Sequence, residues 1–227
     1  MSCIAIITAR GGSKRIPKKN IREFCGKPII AYSIEAALKS EIFDEVMVST
    51  DSFEIADIAK KYGASVPFMR SLETSNDYAT TNDVLEEVLK TYSKKGIFFD
   101  VMACIYPTAP FITSTSLISA YEKICGGIDS VMTTVKYGFP PQRGLIEIDG
   151  KMVYREKMYK LTRSQDLQPI YHDAGQFYFY RVFDKVKFID DDYSAIILPE
   201  TEVQDIDNLV DWQLAELKFK MLREREK

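Results

Sequence analysis

Several features are missing from this sequence, and each absence removes a class of protein. No apolar run approaches the roughly 18–20 residues needed to cross a bilayer, and Met1–Ala9 meets Arg10 too early for a signal peptide. The four cysteines, Cys3, Cys25, Cys104 and Cys125, form no C-x-x-C pair. Cys3 and Cys104 lie inside apolar strand-like runs, which predicts reduced, buried thiols and a cytoplasmic protein. There is no basic surplus: 30 Lys and Arg stand against 33 Asp and Glu, a net charge of −3 that argues against a nucleic-acid partner. Internal repeats, low-complexity tracts and linkers are absent. So are G-x-G-x-x-G and G-x-x-x-x-G-K-[ST], which disfavours dinucleotide-binding and P-loop readings.

What remains is ordinary globular composition over 227 residues, 46% hydrophobic and 28% charged, enough for one large α/β domain with a small embellishment. Short apolar runs alternate with amphipathic stretches. Cys3–Ala9, Glu45–Thr50, Val101–Ile105 and Ser130–Val135 read as strands, the first buried on both faces. Between them, Pro28–Ser40, a segment opened by Asp51 and Glu54 and closed near Gly63, Asn82–Lys95 and Ser114–Cys125 read as helices. This order predicts a three-layer, Rossmann-like, mostly parallel sheet. After Val135 the order breaks. Leu145–Ile148, Asp149-Gly150 and Lys151–Tyr154 read as a protruding hairpin, part of an insertion at about 136–172 in a single domain spanning 1–227. Phe177–Tyr180 and Ala195–Leu198 return to the sheet. The last helix, about Asn208–Arg225, spaces Val210, Leu214, Leu217 and Met221 along one face.

Ligands of open α/β sheets bind at the carboxyl ends of the strands, and the unusual residues cluster there. Directly after the first strand, Arg10–Asn20 carries Arg10, Lys14, Arg15, Lys18 and Lys19. Gly11 and Gly12 allow close backbone approach to a phosphate, and the cations offset a triphosphate's charge. Near the far end, Asp205 and Asp207, two apart in an extended segment, point to one side and suit a single Mg²⁺, although Asp207 could also cap the final helix. Asp190-Asp-Asp192 is a rival acidic cluster, read as a solvated loop.

Arg10–Asn20 followed by Gly26-Lys27-Pro28 resembles the N-terminal signature of the acylneuraminate (sialic acid-type) cytidylyltransferases. Val48-Ser-Thr-Asp51, Arg70 with Ser75–Ala79, Tyr106-Pro-Thr-Ala-Pro110 and Asp205-Ile-Asp207 extend the resemblance over nearly the whole chain. It implies transfer of CMP from CTP to the anomeric hydroxyl of a nine-carbon 2-keto-3-deoxy sugar acid, with Mg²⁺, release of pyrophosphate and a homodimer joined by an arm. It also implies roles. Arg10, Lys14 and Lys19 would contact phosphates and, with Asp207, carry the catalysis. Ala9, Gly11, Gly12, Ser13, Asn20, Arg70, Asn76, Asp77 and Thr80 would line the nucleotide, and Tyr106, Pro107 and Thr108 the sugar.

Two departures narrow the acceptor. Tyr106 stands where the sialic acid enzymes have glutamine, and Tyr171–Tyr178 replaces their R-P-N-G-A-type stretch, with His172 at the arginine. Together with Arg163–Leu167 this resembles the pseudaminic acid branch, whose less polar substrate suits an aromatic-lined pocket. Arg163, His172 or Arg143 would receive the sugar's carboxylate, with Asp173 and Gln176 nearby. N-acetylneuraminic, legionaminic and 3-deoxy-octulosonic acids remain alternative acceptors. A glycosyltransferase and a silent nucleotide-binding module are the rival classes.

Overall fold

The computed structural model describes residues 1–225. Apolar runs set the centre of the sheet. Strand β1 (Cys3–Thr8) is almost wholly buried, followed by a two-residue ribbon of β2 (Glu23–Phe24) and β3 (Lys27–Pro28). Next come α1 (Ile30–Ser40), β4 (Glu45–Ser49), α2 (Phe53–Lys61), α3 (Thr81–Lys94), β5 (Val101–Ile105), α4 (Ser114–Cys125) and β6 (Ser130–Lys136). The hairpin β7 (Leu145–Ile148) and β8 (Lys151–Tyr154) precedes the long β9 (Tyr171–Phe183), then β10 (Lys187–Phe188), β11 (Ser194–Leu198) and α5 (Leu209–Arg225).

The main sheet runs β11-β6-β9-β5-β1-β4, with β10 paired to β9. β1 pairs in parallel with β4 and β5, and β11 with β6. β9 is antiparallel to both β5 and β6. The alternation of side chains along each strand divides the core. Cys3, Ala5, Ile7, Phe177 and Phe179 face α1, α2 and α4. Ile4, Ile6, Cys104, Tyr178 and Tyr180 face α3.

A third cluster lies off the sheet and ties the two ends of the chain together. Phe24 is fully buried, with edge-on ring contacts to Tyr32, Trp212 and Phe219 at 5.4–5.7 Å. Ile16 from the basic loop and Ile206 from the Asp205–Asp207 segment pack into the same cluster. The loop carrying the cations and the segment carrying the paired aspartates therefore share one apolar anchor.

Local chemistry explains where the elements differ from the sequence reading. Pro28 sits in the β2–β3 ribbon opposite Glu23, so α1 starts two residues later than expected. Asp51 does not cap α2; Ser52 does, accepting from the Ile55 N–H. α5 buries Trp212, Ala215 and Phe219, while Val210, Leu214 and Leu217 are exposed, because the aromatic cluster outcompetes the aliphatic stripe. The turn at Asp149-Gly150 has both residues at positive φ, the conformation a two-residue hairpin demands. Around that hairpin the surface is unusually apolar: Phe139 and Leu161 are about nine-tenths exposed, and Met152 and Met158 are largely so.

Removing the shared anchor should be felt globally. Phe24→Ala deletes a ring touching three others, and urea unfolding should show a loss of about 3–5 kcal/mol.

Candidate nucleotide-binding cleft

A cleft of about 490 Å³ opens at the carboxyl ends of β1 and β5. One wall is the basic loop: Arg10, Ser13, Lys14, Arg15, Lys19 and Asn20 line it. The opposite wall is the 70–81 segment, with Arg70, Asn76, Asp77 and Thr80. Tyr106, Pro107 and Thr108 close one side and Asp207 another. Most of the expected nucleotide residues and the first three expected sugar residues thus converge. Ala79 of the Ser75–Ala79 stretch lines the cleft too, as do Thr8, Ile16, Thr74, Thr81 and Val84, whose small or apolar side chains carry no motif.

The cations are held by counter-charges from other elements. Arg10 Nη1 and Lys14 Nζ both meet the Asp77 carboxylate, at 3.0 and 2.5 Å, and the pair holds its carboxyl below the usual range, Lys14 first. Arg15 Nη2 lies 2.7 Å from Asp207 Oδ1, and Lys18 pairs with Glu54 on α2. Lys19 Nζ donates to the Ile206 carbonyl at 2.7 Å; burial lowers its pKa, against the opposing pull of Asp207 and Asp205.

The loop's backbone is braced rather than free. Asn20 is buried and donates to the Arg10 carbonyl at 2.9 Å. The Gly11 N–H donates to Asp51 at 2.7 Å, so that donor serves the β4 end. A Cβ on Gly11 would meet Ser52 Cβ at 3.2 Å, a tight approach, whereas Gly12 faces open space. Ala9 is buried with its N–H on the Ser49 carbonyl, outside the cleft lining.

The far wall is pinned at three places. Arg70 is buried and donates from Nε to Ser49 Oγ and from Nη2 to the Ser49 carbonyl; its pKa is lowered by burial. Thr80 closes a capping box with Asp83 at the start of α3. In the middle, the Glu87 carboxylate accepts from the Ser71 N–H at 2.9 Å and from the Ser71 and Thr74 hydroxyls. Asn76 folds the tip by accepting from the Tyr78 and Ala79 N–H groups.

The paired aspartates fit a hard divalent cation. Ile206 between them is buried; Asp207 lines the cleft and Asp205, one residue beyond Ile206, lies outside its lining. Burial first, then the charge of Asp207, raises the Asp205 pKa. Among the described residues no three His, Cys, Asp or Glu form a self-sufficient cage. Two carboxylates beside a cationic phosphate cradle are the donor set Mg²⁺ takes when phosphate oxygens and water complete its shell. Asp207 does not cap α5: its N–H and that of Asn208 are given to Asp211, and Asn208 accepts from the Asp211 N–H.

Other expected residues lie outside the cleft. Arg163 pairs with Asp166, and Arg143 donates to Ser164, both in the insertion. His172 packs its ring 4.6 Å from Tyr137, with Nδ1 at the Asp173 carbonyl. Gln176 is buried and donates to the Glu202 carbonyl, and Asp173 accepts from Tyr178 and from the Gly175 N–H. The acidic run is exposed throughout, although Asp190 also accepts from Asn82 and Tyr180.

A cationic loop at the end of β1, a pinned wall opposite it and Asp207 at the rim make up a candidate nucleotide-binding site of an α/β protein. The cytidylyltransferase family profile matches residues 4–206, and the chain belongs to that family. It is 41% identical over 230 residues to a pseudaminic acid cytidylyltransferase of Campylobacter jejuni, covering 99% of each chain. It is 34% identical over 231 residues to the CMP-N,N'-diacetyllegionaminic acid synthase of Legionella pneumophila, again covering 99% of each. A solved CMP:2-keto-3-deoxy-manno-octonic acid synthetase complexed with CTP superposes with a TM-score of 0.69 at 16% identity, over 99% of this chain and 100% of that one. The last likeness is one of fold. Family membership removes the glycosyltransferase and silent-module readings.

Glu87 touches no part of the cleft's interior, yet it anchors the wall. Glu87→Ala should raise the KM for CTP about tenfold, the equivalent of ~1.4 kcal/mol, while the KM for the acceptor changes little in steady-state pyrophosphate-release assays.

Proposed function

We propose that the protein transfers CMP from CTP to the anomeric hydroxyl of pseudaminic acid, giving the CMP-sugar and pyrophosphate. The observation that carries this reading is the meeting of the cationic loop and Asp207 in one cleft, with Arg15 and Asp207 2.7 Å apart. Full-length similarity to a pseudaminic acid enzyme and the tyrosine at position 106 support the choice of acceptor.

The sugar oxygen attacks the α-phosphorus in line with the departing pyrophosphate: one P–O bond forms, the bond to pyrophosphate breaks, and the hydroxyl proton leaves. Such a reaction is accelerated mainly by alignment and by charge placed where it develops. Arg10, Lys14 and Lys19, with Gly12 and Ser13 beside them, clamp the triphosphate once Asp77 gives up its pairs. Exposed ion pairs of that kind are weak and screened by solvent, so a polyanion displaces them readily. Arg70, Asn76, Asp77 and Thr80 shape the nucleoside end. Asp205 and Asp207 hold Mg²⁺, which when bound offsets charge on the phosphates and fixes their geometry.

The acceptor's carboxylate is received by Arg163, His172 or Arg143 of the insertion. In one chain these lie away from the cleft. The apolar surface of Phe139, Met152, Met158 and Leu161 supports a homodimer in which the insertion of one subunit reaches the other. Four unpaired cysteines, and the absence of any described helix long and apolar enough to cross a membrane, support a cytoplasmic site of action.

The primary test is pyrophosphate release from CTP and Mg²⁺ with pseudaminic, legionaminic and N-acetylneuraminic acids side by side. Release should be fastest with pseudaminic acid; a preference for legionaminic acid would move the substrate and keep the chemistry. Asp207→Ala should reduce kcat by at least about 100-fold with little change in melting temperature, within the range for a lost charge-stabilising group. Deleting the hairpin residues 145–154 should shift the light-scattering mass from dimer to monomer.

A further inference from the structure

Two contacts join the basic loop to the segment before α5, and they differ in kind. Lys19 Nζ donates to the Ile206 carbonyl at 2.7 Å, a partly buried bond to the main chain. Arg15 Nη2 meets Asp207 Oδ1 at the same distance, but both side chains are open to water, 67% and 42% exposed. The first contact fixes the register of loop and segment. The second occupies a carboxylate oxygen and is readily exchanged, because solvent screens such a pair.

The backbone on both sides of the exchangeable pair is held. Ile16, next to Arg15, and Ile206, next to Asp207, are both buried in the cluster of Phe24 and Trp212. The Asp207 N–H is further tied to the Asp211 carboxylate at 2.9 Å. Each charged head group therefore swings from a fixed root, and both line the cleft. The Arg15 guanidinium thus faces the same space as an incoming triphosphate. Asp205, outside the cleft lining, forms no ion pair among the described residues, so of the two aspartates only Asp207 has its carboxylate engaged by a cation. Arg10 and Lys14 are committed elsewhere, to Asp77 on the opposite wall.

We propose that Arg15 gates the metal site, keeping a divalent cation off Asp207 until a triphosphate enters the cleft. The proposal rests on the reading of Asp207 as a metal ligand. A guanidinium and a hard cation compete for the same carboxylate oxygen, and their like charges repel. A triphosphate changes both terms. Its oxygens accept from the planar Arg15 fork, which frees Asp207, and they supply the further oxygen ligands that carboxylates alone leave missing. Charge stays balanced through the exchange: Asp207 trades one cation for another, and Arg15 trades a carboxylate for a phosphate. Metal binding thereby follows the nucleotide, and a divalent cation by itself gains little from the site.

The test titrates Mn²⁺, followed by the paramagnetic resonance signal of the free ion, into the full-length protein with and without CTP. Arg15→Gln should bind Mn²⁺ alone about fivefold more tightly than the unmodified protein, and should bind CTP in the presence of Mg²⁺ about fivefold more weakly. Opposite signs in one variant distinguish gating from a lost structural contact, because a loosened segment weakens both. In an Asp207→Asn background, Arg15→Gln should give no gain in Mn²⁺ affinity, since the competition runs through that carboxylate. Mn²⁺ affinity that is unchanged or weaker in Arg15→Gln, or raised equally in both backgrounds, would overturn the proposal and leave the metal assignment standing. Mn²⁺ binding in the complex with CTP that survives Asp207→Asn undiminished removes the metal assignment, and the proposal with it.

Discussion

Everything near the cleft is arranged around the repulsion among five cations in one short loop. Arg10, Lys14, Arg15, Lys18 and Lys19 follow β1 within ten residues. No single element could neutralise them, and none does: Asp77 comes from the wall before α3, Glu54 from α2, Asp207 and the Ile206 carbonyl from the segment before α5. The loop is thereby stitched to three parts of the fold distant in sequence. Because most of these pairs are exposed, they hold the cations in place without strongly resisting a competing polyanion. Two of these carboxylates, Asp77 and Asp207, themselves line the cleft.

That electrostatic arrangement has an apolar counterpart. Phe24, Trp212, Phe219, Ile16 and Ile206 form a core separate from the two faces of the sheet. It joins the beginning and end of the chain behind the cleft, so the distance between phosphate loop and aspartate pair is fixed by packing rather than by ion pairs. Electrostatics makes the site exchangeable; aromatic packing keeps its two halves in register.

Much of this was legible in the sequence because the signals were local. A buried run followed by paired glycines and clustered cations marks the loop that lines the cleft, and Asp149-Gly150 identifies a hairpin. The misread features depended on tertiary competition. Asp51 looks like a helix cap, but the Gly11 N–H claims it and Ser52 takes the cap. Val210, Leu214 and Leu217 look like a packing face, yet Trp212 and Phe219 bury more area and win the contact. The antiparallel run of β9 carries no local mark, since its apolar stretch suits either direction. Tyr178 reads as strand core and is buried as such; only the structure shows its hydroxyl on Asp173. Arg163 and His172 were placed with the sugar by resemblance, and within one chain they lie in and at the base of the insertion.

The long β9 has one more consequence. It enters the sheet directly from the insertion, and β6, which leads into the insertion, is its immediate neighbour. Both roots of the protruding segment are therefore interior strands, not edges. The strand beginning with Tyr171 and His172 continues through Asp173 and Tyr178 before it ends at Phe183. Whatever grips the insertion thus grips the middle of the sheet, and two subunits joined there would share a mechanical connection running into β9, the strand beside β5 at whose end the cleft opens.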